Sequence, residues 1–119
     1  MHIHRKVAVV TGAGTGIGRA VSEILLRNNY AVTLTGRRQE LLEQAAADSG
    51  EDLERICCIR ADIRYEQDVN QIFDDTVERF GRIDLLFNNA GIGALAVDID
   101  ELEVDEWRAV LEKIGRAHV

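Results

Sequence analysis

A glycine-rich segment between an apolar strand and an amphipathic helix constrains this chain more than any other feature. It reads Thr11-Gly12-Ala13-Gly14-Thr15-Gly16-Ile17-Gly18. Residues 7–10 before it, Val-Ala-Val-Val, are typical of a buried parallel strand. After it, apolar residues recur at helical spacing, at Ile17, Ala20, Val21, Ile24 and Leu25. A strand–turn–helix of this kind predicts a phosphate site, because free N–H groups and the positive end of the helix dipole converge there.

The spacing of the glycines predicts a separate role for three of them. They follow Gly-x-x-x-Gly-x-Gly rather than the commoner Gly-x-Gly-x-x-Gly of dinucleotide-binding turns. We expect Gly12 to permit the tight turn, Gly16 the close approach of a phosphate, and Gly18 the close packing of helix on strand. A P-loop is not favoured, since Arg19-Ala20 stands where that motif has Lys-Ser or Lys-Thr.

Strand-like and helix-like segments alternate along the rest of the chain. Further strands are expected at residues 31–35, 56–61 and 83–87. Helical faces follow them, marked by Arg38, Leu41, Leu42, Ala45 and Ala46, by Val69, Ile72, Phe73, Thr76, Val77 and Phe80 before Gly81, and from near Val104 by Trp107, Val110 and Leu111. This alternation predicts one α/β domain over residues 1–112 with a Rossmann-like, doubly wound parallel sheet. We expect about four strands, in the order 3-2-1-4, and four helices.

Composition and charge exclude several classes of partner. Of 119 residues, 46% are hydrophobic and 29% are charged, and no membrane-length apolar run or signal peptide is present. We therefore expect a cytoplasmic, globular chain with no membrane partner. The net charge of −7 disfavours nucleic acid, although residues 1–38, which hold the glycine loop, carry six Lys/Arg and one acid. Cys57 and Cys58 are interpreted as buried thiols, and with no third ligand near His2 and His4 we predict no metal site.

Chemistry is expected where the strands end, since ligands of such sheets lie beyond the carboxyl ends. The second strand is followed by Gly36-Arg37-Arg38, where NAD-preferring proteins usually place an acid for the ribose 2′-hydroxyl. A guanidinium suits a 2′-phosphate instead, which favours NADP over NAD. We favour Arg37 over Arg38 as the phosphate contact; the alternative is that both are solvated residues that open a helix.

Polar residues also follow the third and fourth strands. The carboxylate of Asp62, in Asp62-Ile63, could accept a hydrogen bond from an adenine amino group, or Asp62 could be an ordinary turn residue. After the fourth strand, residues 88–91 read Asn-Asn-Ala-Gly. Their amides can satisfy backbone groups of neighbouring strands, and their small residues let a cofactor approach.

Together, the glycine loop, Asp62-Ile63 and Asn88-Asn89-Ala90-Gly91 resemble the short-chain dehydrogenase/reductase family over residues 5–112. The resemblance implies that Gly12 to Ile17 hold a pyrophosphate, Arg37 the 2′-phosphate, Asp62 and Ile63 the adenine, and Asn89 to Gly91 the nicotinamide-side ribose, while Asn88 braces the sheet. The expected cofactor-binding residues are Gly12, Ala13, Gly14, Thr15, Gly16, Ile17, Gly18, Arg37, Arg38, Asp62, Ile63, Asn89, Ala90 and Gly91. The resemblance also implies reversible hydride transfer between NADP(H) and a carbonyl or alcohol, carried out by a homodimer or homotetramer.

The family's catalytic residues are missing from this chain. The resemblance places a catalytic Asn at position 114, which is Ile114, and a Ser and Tyr-x-x-x-Lys beyond Val119. Neither Tyr30 nor Tyr65 has a lysine four positions on. We therefore expect the chain to be the inactive, cofactor-binding half of a parent about twice as long. The alternatives are a non-catalytic nucleotide-binding or redox-sensing module and a structural fragment without a ligand.

The last residues depart from the helical pattern. Residues 114–119, Ile-Gly-Arg-Ala-His-Val, look like a translated sequencing adapter, so we expect a non-native tail over residues 113–119; the alternative is a natural end with a glycine break. On this hypothesis the fourth strand lies at an open edge, where Leu85, Leu86 and Phe87 are poorly covered, and Trp107 lacks its packing partner. Such a chain would be marginally stable.

Overall fold

A five-stranded sheet in the order β3-β2-β1-β4-β5 forms the centre of the molecule. The computed structural model describes residues 5–89 in full and the backbone of residues 95–98. The elements are β1 (Val7–Thr11), α1 (Gly16–Arg27), β2 (Ala31–Gly36), α2 (Gln39–Ser49), a 3-10 turn (Leu53–Arg55), β3 (Ile56–Arg60), α3 (Glu66–Phe80), β4 (Leu85–Asn88) and β5 (Leu95–Asp98). The predicted α/β class and the strand order 3-2-1-4 are confirmed.

The first four strands are parallel, so their carboxyl ends meet at one edge of the sheet. In the register, Thr11 lies opposite Thr35 of β2 and Asn88 of β4. All five residues of β1 are buried, as expected of a central strand that is covered on both faces. The loop that follows β1 is thereby fixed between the ends of its two neighbours.

Two apolar clusters cover the two faces of the sheet. Residues of α3, among them Ile72 and Phe73, pack with Val9 and Leu86 on one face. On the other face, residues of α1 and α2 pack with Val10, the residue of β1 that follows Val9. This second cluster also includes Leu26, Val32, Leu34 and Leu42. Successive strand residues thus face opposite layers, which is the doubly wound arrangement.

A buried carboxylate anchors the start of β1. The Asp84 carboxylate, which is 6% exposed, accepts a hydrogen bond of 2.8 Å from the Val7 N–H. The Asp84 N–H in turn donates to the Val7 carbonyl, also at 2.8 Å. Arg82 pairs with the second carboxylate oxygen at 2.5 Å, so the buried charge has a cationic partner.

The helix ends differ in how well they are capped. Gly50 and Gly81 end α2 and α3 in the left-handed conformation, with φ of 71° and 84°, which confirms the predicted stop at Gly81. At the N-caps Thr15, Arg38 and Tyr65, by contrast, no side-chain capping hydrogen bond is made. The first-turn N–H groups of α1 are therefore left for another acceptor.

The apolar face predicted for α1 is wrong at three positions. Ile17 and Ile24 are 62% and 52% exposed and Ala20 is exposed as well, whereas the buried residues of this helix are Gly18, Ser22 and Leu26. Gly18 faces inward where the helix packs very close to the loop after β1. The hydroxyl of Ser22 is satisfied within the helix by the Gly18 carbonyl at 2.8 Å.

The expectation of an open edge at β4 is also wrong. Residues 95–98 form β5, which pairs antiparallel with β4 and sets Val97 opposite Leu86. Leu86 is fully buried, and Leu85 and Phe87 are half-buried. The predicted last helix and the predicted tail lie outside the described residues. Among the helices that are described, none is both long and apolar enough to cross a membrane.

Candidate functional site

A cleft of ≈ 380 Å³ opens at the carboxyl ends of β1, β2 and β3. Its walls are the loop after β1, residues 35–38 at the end of β2, and residues 61–64 after β3. This volume lies in the range of small-molecule sites. The cleft therefore lies at the edge of the sheet where the sequence predicted ligand binding.

Seven of the predicted site residues line this cleft, and they are Gly12, Gly14, Thr15, Arg37, Arg38, Asp62 and Ile63. Ala13 is fully buried beside it, and its N–H donates to the Thr35 carbonyl at 3.1 Å. Gly16, Ile17, Gly18 and Asn89 are described but are not among the lining residues. Ala90 and Gly91 lie outside the described residues.

The glycine loop leaves the start of α1 open to an anion. Gly12 and Gly16 have φ of 61° and 58°, a region that glycine adopts without strain. A Cβ built on Gly16 would meet no atom within 4 Å, so the space beside it is open. The first turn of α1 contains no acidic residue, and Thr15 does not cap it. The helix dipole and the uncapped N–H groups therefore favour an anion here.

Gly18 is the position at which α1 packs against this loop. A Cβ on Gly18 would lie 2.2 Å from the Gly12 carbonyl oxygen and 3.0 Å from Nδ2 of Asn89. The close packing predicted for Gly18 is thus present, but against the loop after β1 rather than against the strand itself. A similar contact joins the loop to α2, because a Cβ on Gly14 would lie 2.9 Å from Cβ of Leu41.

A threonine and an asparagine tie the loop to β4. The Thr11 hydroxyl donates to Oδ1 of Asn88 at 2.6 Å and accepts from the Asn89 N–H at 2.9 Å. Thr11 and Asn88 are 1% and 4% exposed. Asn88 therefore braces the sheet, and the sequence analysis missed Thr11 as its partner because a threonine that ends an apolar strand carries no distinctive signal.

The two arginines after β2 differ in their surroundings. Both are exposed. Nε of Arg38 donates to Oε1 of Glu40 at 3.0 Å, whereas Arg37 has no hydrogen-bond or ion-pair partner among the described residues. The charge of Arg37 nonetheless contributes to the electrostatics of Asp62. Of the two guanidinium groups, that of Arg37 is the more available to a ligand.

Asp62 lies across the cleft in a tight ion pair with Arg64. Nη2 of Arg64 approaches Oδ2 of Asp62 to 2.6 Å. Hydrogen bonds from Arg64 are the main reason that the pKa of Asp62 is lowered, and the positive charges of Arg64 and Arg37 add to the effect. Ile63 is 8% exposed and belongs to the apolar cluster under α3. Arg64 was missed in the sequence because an arginine in a turn is usually solvated.

Thr35 is a second residue that sequence reasoning missed. It lines the cleft, is 1% exposed, and its Oγ1 has no hydrogen-bond partner in the part of the chain that the structure describes. Unpaired hydroxyls are uncommon in protein interiors, and they cost stability unless a ligand or water satisfies them. The Thr35 hydroxyl is therefore a polar group in the cleft wall that a ligand could contact.

The cysteines lie away from this chemistry. Both are free thiols, with Cys57 buried and Cys58 half-buried. Burial is the largest cause that raises the pKa of Cys58 to about 11. In residues 5–89 and 95–98, no three His, Cys, Asp or Glu side chains are grouped so as to hold a metal ion.

Comparison with known proteins gives consistent matches. The family model for short chain dehydrogenase matches residues 6–113. An uncharacterized oxidoreductase of Staphylococcus saprophyticus is 34% identical over 113 residues, which are 94% of this chain and 48% of that protein. The chain thus spans about half the length of the curated relatives that it matches.

Solved structures agree with the sequence match. The 3-ketoacyl-(acyl-carrier-protein) reductase from Brucella melitensis, complexed with NADH, is similar with a TM-score of 0.70 and 30% identity; the match covers 94% of this chain and 45% of that one. The C-domain of a bacterial malonyl-CoA reductase with NADP gives a TM-score of 0.67 and 33% identity, covering 73% and 15%. Both nicotinamide cofactors therefore occur among these structural neighbours.

Proposed function

Because the chain belongs to the short-chain dehydrogenase/reductase family, we propose that it is the cofactor-binding half of an oxidoreductase that prefers NADP over NAD. The observation that carries the proposal is a single cleft that is lined on one side by Thr15, the N-cap of α1, and on another by Arg37, which has no ion-pair partner among the described residues. A dinucleotide presents anionic groups to both. The pyrophosphate suits the helix N-terminus, and an adenosine 2′-phosphate suits the guanidinium.

We assign the cofactor groups to the three segments that follow β1, β3 and β4. Residues 12–18 would hold the pyrophosphate through backbone N–H groups, which the open space beside Gly16 permits. Asp62 and Ile63, at the opposite wall, would contact adenine, while Asn89, Ala90 and Gly91 would lie along the nicotinamide-side ribose. The Thr11–Asn88 hydrogen bond would hold that last segment in register with the loop. The nicotinamide, when bound, supplies the hydride acceptor or donor.

The preference for NADP rests on residues of this chain. No acidic residue occurs among Gly36, Arg37 and Arg38, where a carboxylate would repel a 2′-phosphate and bind a 2′-hydroxyl. Arg38 is occupied by Glu40, so we assign the phosphate contact chiefly to Arg37. Relatives with NADH and with NADP support nicotinamide binding in general.

The proposed reaction of the parent protein is hydride transfer between NADP(H) and a small carbonyl or alcohol. A Ser and a Tyr-x-x-x-Lys, which the family uses for the proton transfer, are not present after residue 91 in this chain. We therefore propose that the 119-residue chain binds cofactor without turnover, and that the parent assembles as a homodimer or homotetramer. A non-catalytic nucleotide-binding or redox-sensing module is the alternative.

Titration of the chain with NADPH and with NADH tests this function. We expect tighter binding of NADPH. Arg37→Asp should lower the ratio of NADPH to NADH affinity about tenfold to a hundredfold, because a charge-assisted hydrogen bond contributes roughly 1.5–3 kcal/mol. Arg38→Asp is the matched control, with the same charge change one residue away and a smaller expected effect. An unchanged ratio in Arg37→Asp would refute the NADP preference, and NADPH oxidation with a panel of ketones would refute the lack of turnover.

A further inference from the structure

Arg64 engages both oxygens of the Asp62 carboxylate with its side chain and its backbone N–H. Oδ1 accepts from the backbone N–H of Arg64 at 3.0 Å and from its Nε at 3.0 Å. Oδ2 accepts from Nε at 3.1 Å and from Nη2 at 2.6 Å. Nε carries a single hydrogen, which the two oxygens share, so three N–H groups of one residue engage the carboxylate, which offers about four lone-pair positions.

This arrangement conflicts with the adenine contact that is proposed for Asp62. An amino group that donates to Asp62 must approach Oδ1 or Oδ2, and the Arg64 side chain already lies within hydrogen-bond distance of both oxygens. The guanidinium of Arg64 must therefore withdraw, wholly or in part, before adenine can bind to this carboxylate. The ion pair and the nucleotide compete for one group.

The side chain of Arg64 is free to withdraw while the loop stays in place. It is 42% exposed, against 14% for the side chain of Asp62. The backbone of the turn is held independently, since the Asp62 N–H donates to Asp68 at 2.8 Å and the Asp62 carbonyl accepts from the Tyr65 N–H at 3.0 Å. Rotation about the side-chain bonds of Arg64 is therefore enough to open the site.

A withdrawn guanidinium needs a new anion, and only NADP brings one at the ribose 2′ position. Arg64 lines the same cleft as Arg37, and both guanidinium groups act electrostatically on Asp62. An adenosine with a 2′-phosphate places a dianion between these walls, whereas an adenosine with a free 2′-hydroxyl offers no charge. Binding of an adenosine with a free 2′-hydroxyl therefore breaks the ion pair of Asp62 with Arg64 and gives Arg64 no new partner at that position.

We propose that Arg64 is a specificity-determining residue that pairs with Asp62 when no nucleotide is bound and transfers its ion pair from Asp62 to the 2′-phosphate when NADP binds. This inference rests on the proposed function, because it requires adenosine to bind at Asp62. It assigns part of the discrimination to a penalty on NAD rather than only to an attraction for NADP.

The test uses the adenosine halves of the two cofactors, 2′,5′-ADP and 5′-AMP, titrated by calorimetry into the 119-residue chain. For Arg64→Gln we expect the dissociation constant of 2′,5′-ADP to rise about tenfold, as for a lost charge-assisted hydrogen bond. The dissociation constant of 5′-AMP should instead fall, by about two- to fivefold, because an exposed ion pair no longer has to break. Opposite shifts for two ligands cannot come from partial unfolding, which would weaken both.

Two further variants complete the design. Arg60→Gln removes the same charge at the end of β3, from a residue that is not among those lining the cleft, and should leave both constants unchanged. Arg64→Lys keeps the charge but loses the forked geometry, so its constants should lie between those of the wild type and Arg64→Gln. Equal shifts for the two ligands, or no shift beyond that of Arg60→Gln, would overturn the role of Arg64. If the wild type bound neither ligand, the proposed function itself would fail.

Discussion

The hydroxyl of Thr11 donates to the side-chain oxygen of Asn88 across 2.6 Å, although 77 residues separate them in sequence. The same hydroxyl accepts from the Asn89 N–H, so one oxygen atom serves two residues of the segment after β4. Both ends of this contact are buried, where water cannot replace a lost partner. The glycine loop and the start of the segment after β4 are consequently positioned together.

Replacement of Thr11 tests this coupling. Thr11→Val keeps the shape of the side chain but leaves Oδ1 of Asn88 and the Asn89 N–H without their partner. We expect a loss of about 1–3 kcal/mol in the free energy of unfolding, the cost of leaving buried polar groups unpaired. Urea unfolding followed by circular dichroism measures it. Thr11→Ser keeps the hydroxyl and should lose less; equal losses for the two variants would show that the hydrogen bond is not the cause.

Gly18→Ala tests the contact between α1 and the loop. The added Cβ would lie 2.2 Å from a backbone carbonyl oxygen, which cannot rotate away as a flexible side chain could. We expect destabilisation of about 3 kcal/mol, the upper part of the usual range for overpacking, together with weaker NADPH binding because the loop must shift. Gly16→Ala is the control, since the space there is open and only the positive φ costs energy, about 1–2 kcal/mol. A Gly18→Ala variant as stable as Gly16→Ala would contradict the close approach.

The thiol of Cys58 should react slowly at neutral pH. Burial, followed by the neighbouring charges of Cys57 and Glu43, raises its pKa from 9.0 to about 11. The raised pKa stabilises the folded chain fully below pH 9, and this contribution is lost as the pH rises through about 11. In a Cys57→Ser background at pH 8, iodoacetamide should alkylate Cys58 far more slowly in the folded chain than in the urea-unfolded chain. In the folded chain, alkylation should be faster above pH 10 than at pH 8. Equal rates in the folded and unfolded chain at pH 8 would show an unperturbed thiol.

The sequence was informative wherever one residue type is physically required. Roles could be assigned to Gly12 and Gly18. Glycine tolerates the positive φ at Gly12, and only glycine fits at Gly18, where there is no room for a Cβ. The face of α1 could not be predicted from hydrophobic periodicity, because Ser22 is buried by close packing while Ile24 is exposed. Residues 95–98, Leu-Ala-Val-Asp, do not alternate apolar and polar side chains, so the edge strand carries no strand pattern. Arg64 required the local geometry of a turn, which sequence spacing does not give.

Because β1 is completely buried, hydrophobicity alone does not fix its register against the neighbouring strands. Val9 and Val10 face different apolar clusters, and each cluster would accept either valine. A slip of β1 by one residue would therefore exchange two like side chains at little apolar cost. The hydrogen bond between the Thr11 hydroxyl and Asn88 opposes that slip, because a slipped strand would place Val10 or Gly12 beside Asn88. Asp84 holds the start of the strand through the Val7 N–H, a backbone group that any residue supplies. The position of the glycine loop above the cleft therefore depends on the side-chain contact at the end of β1.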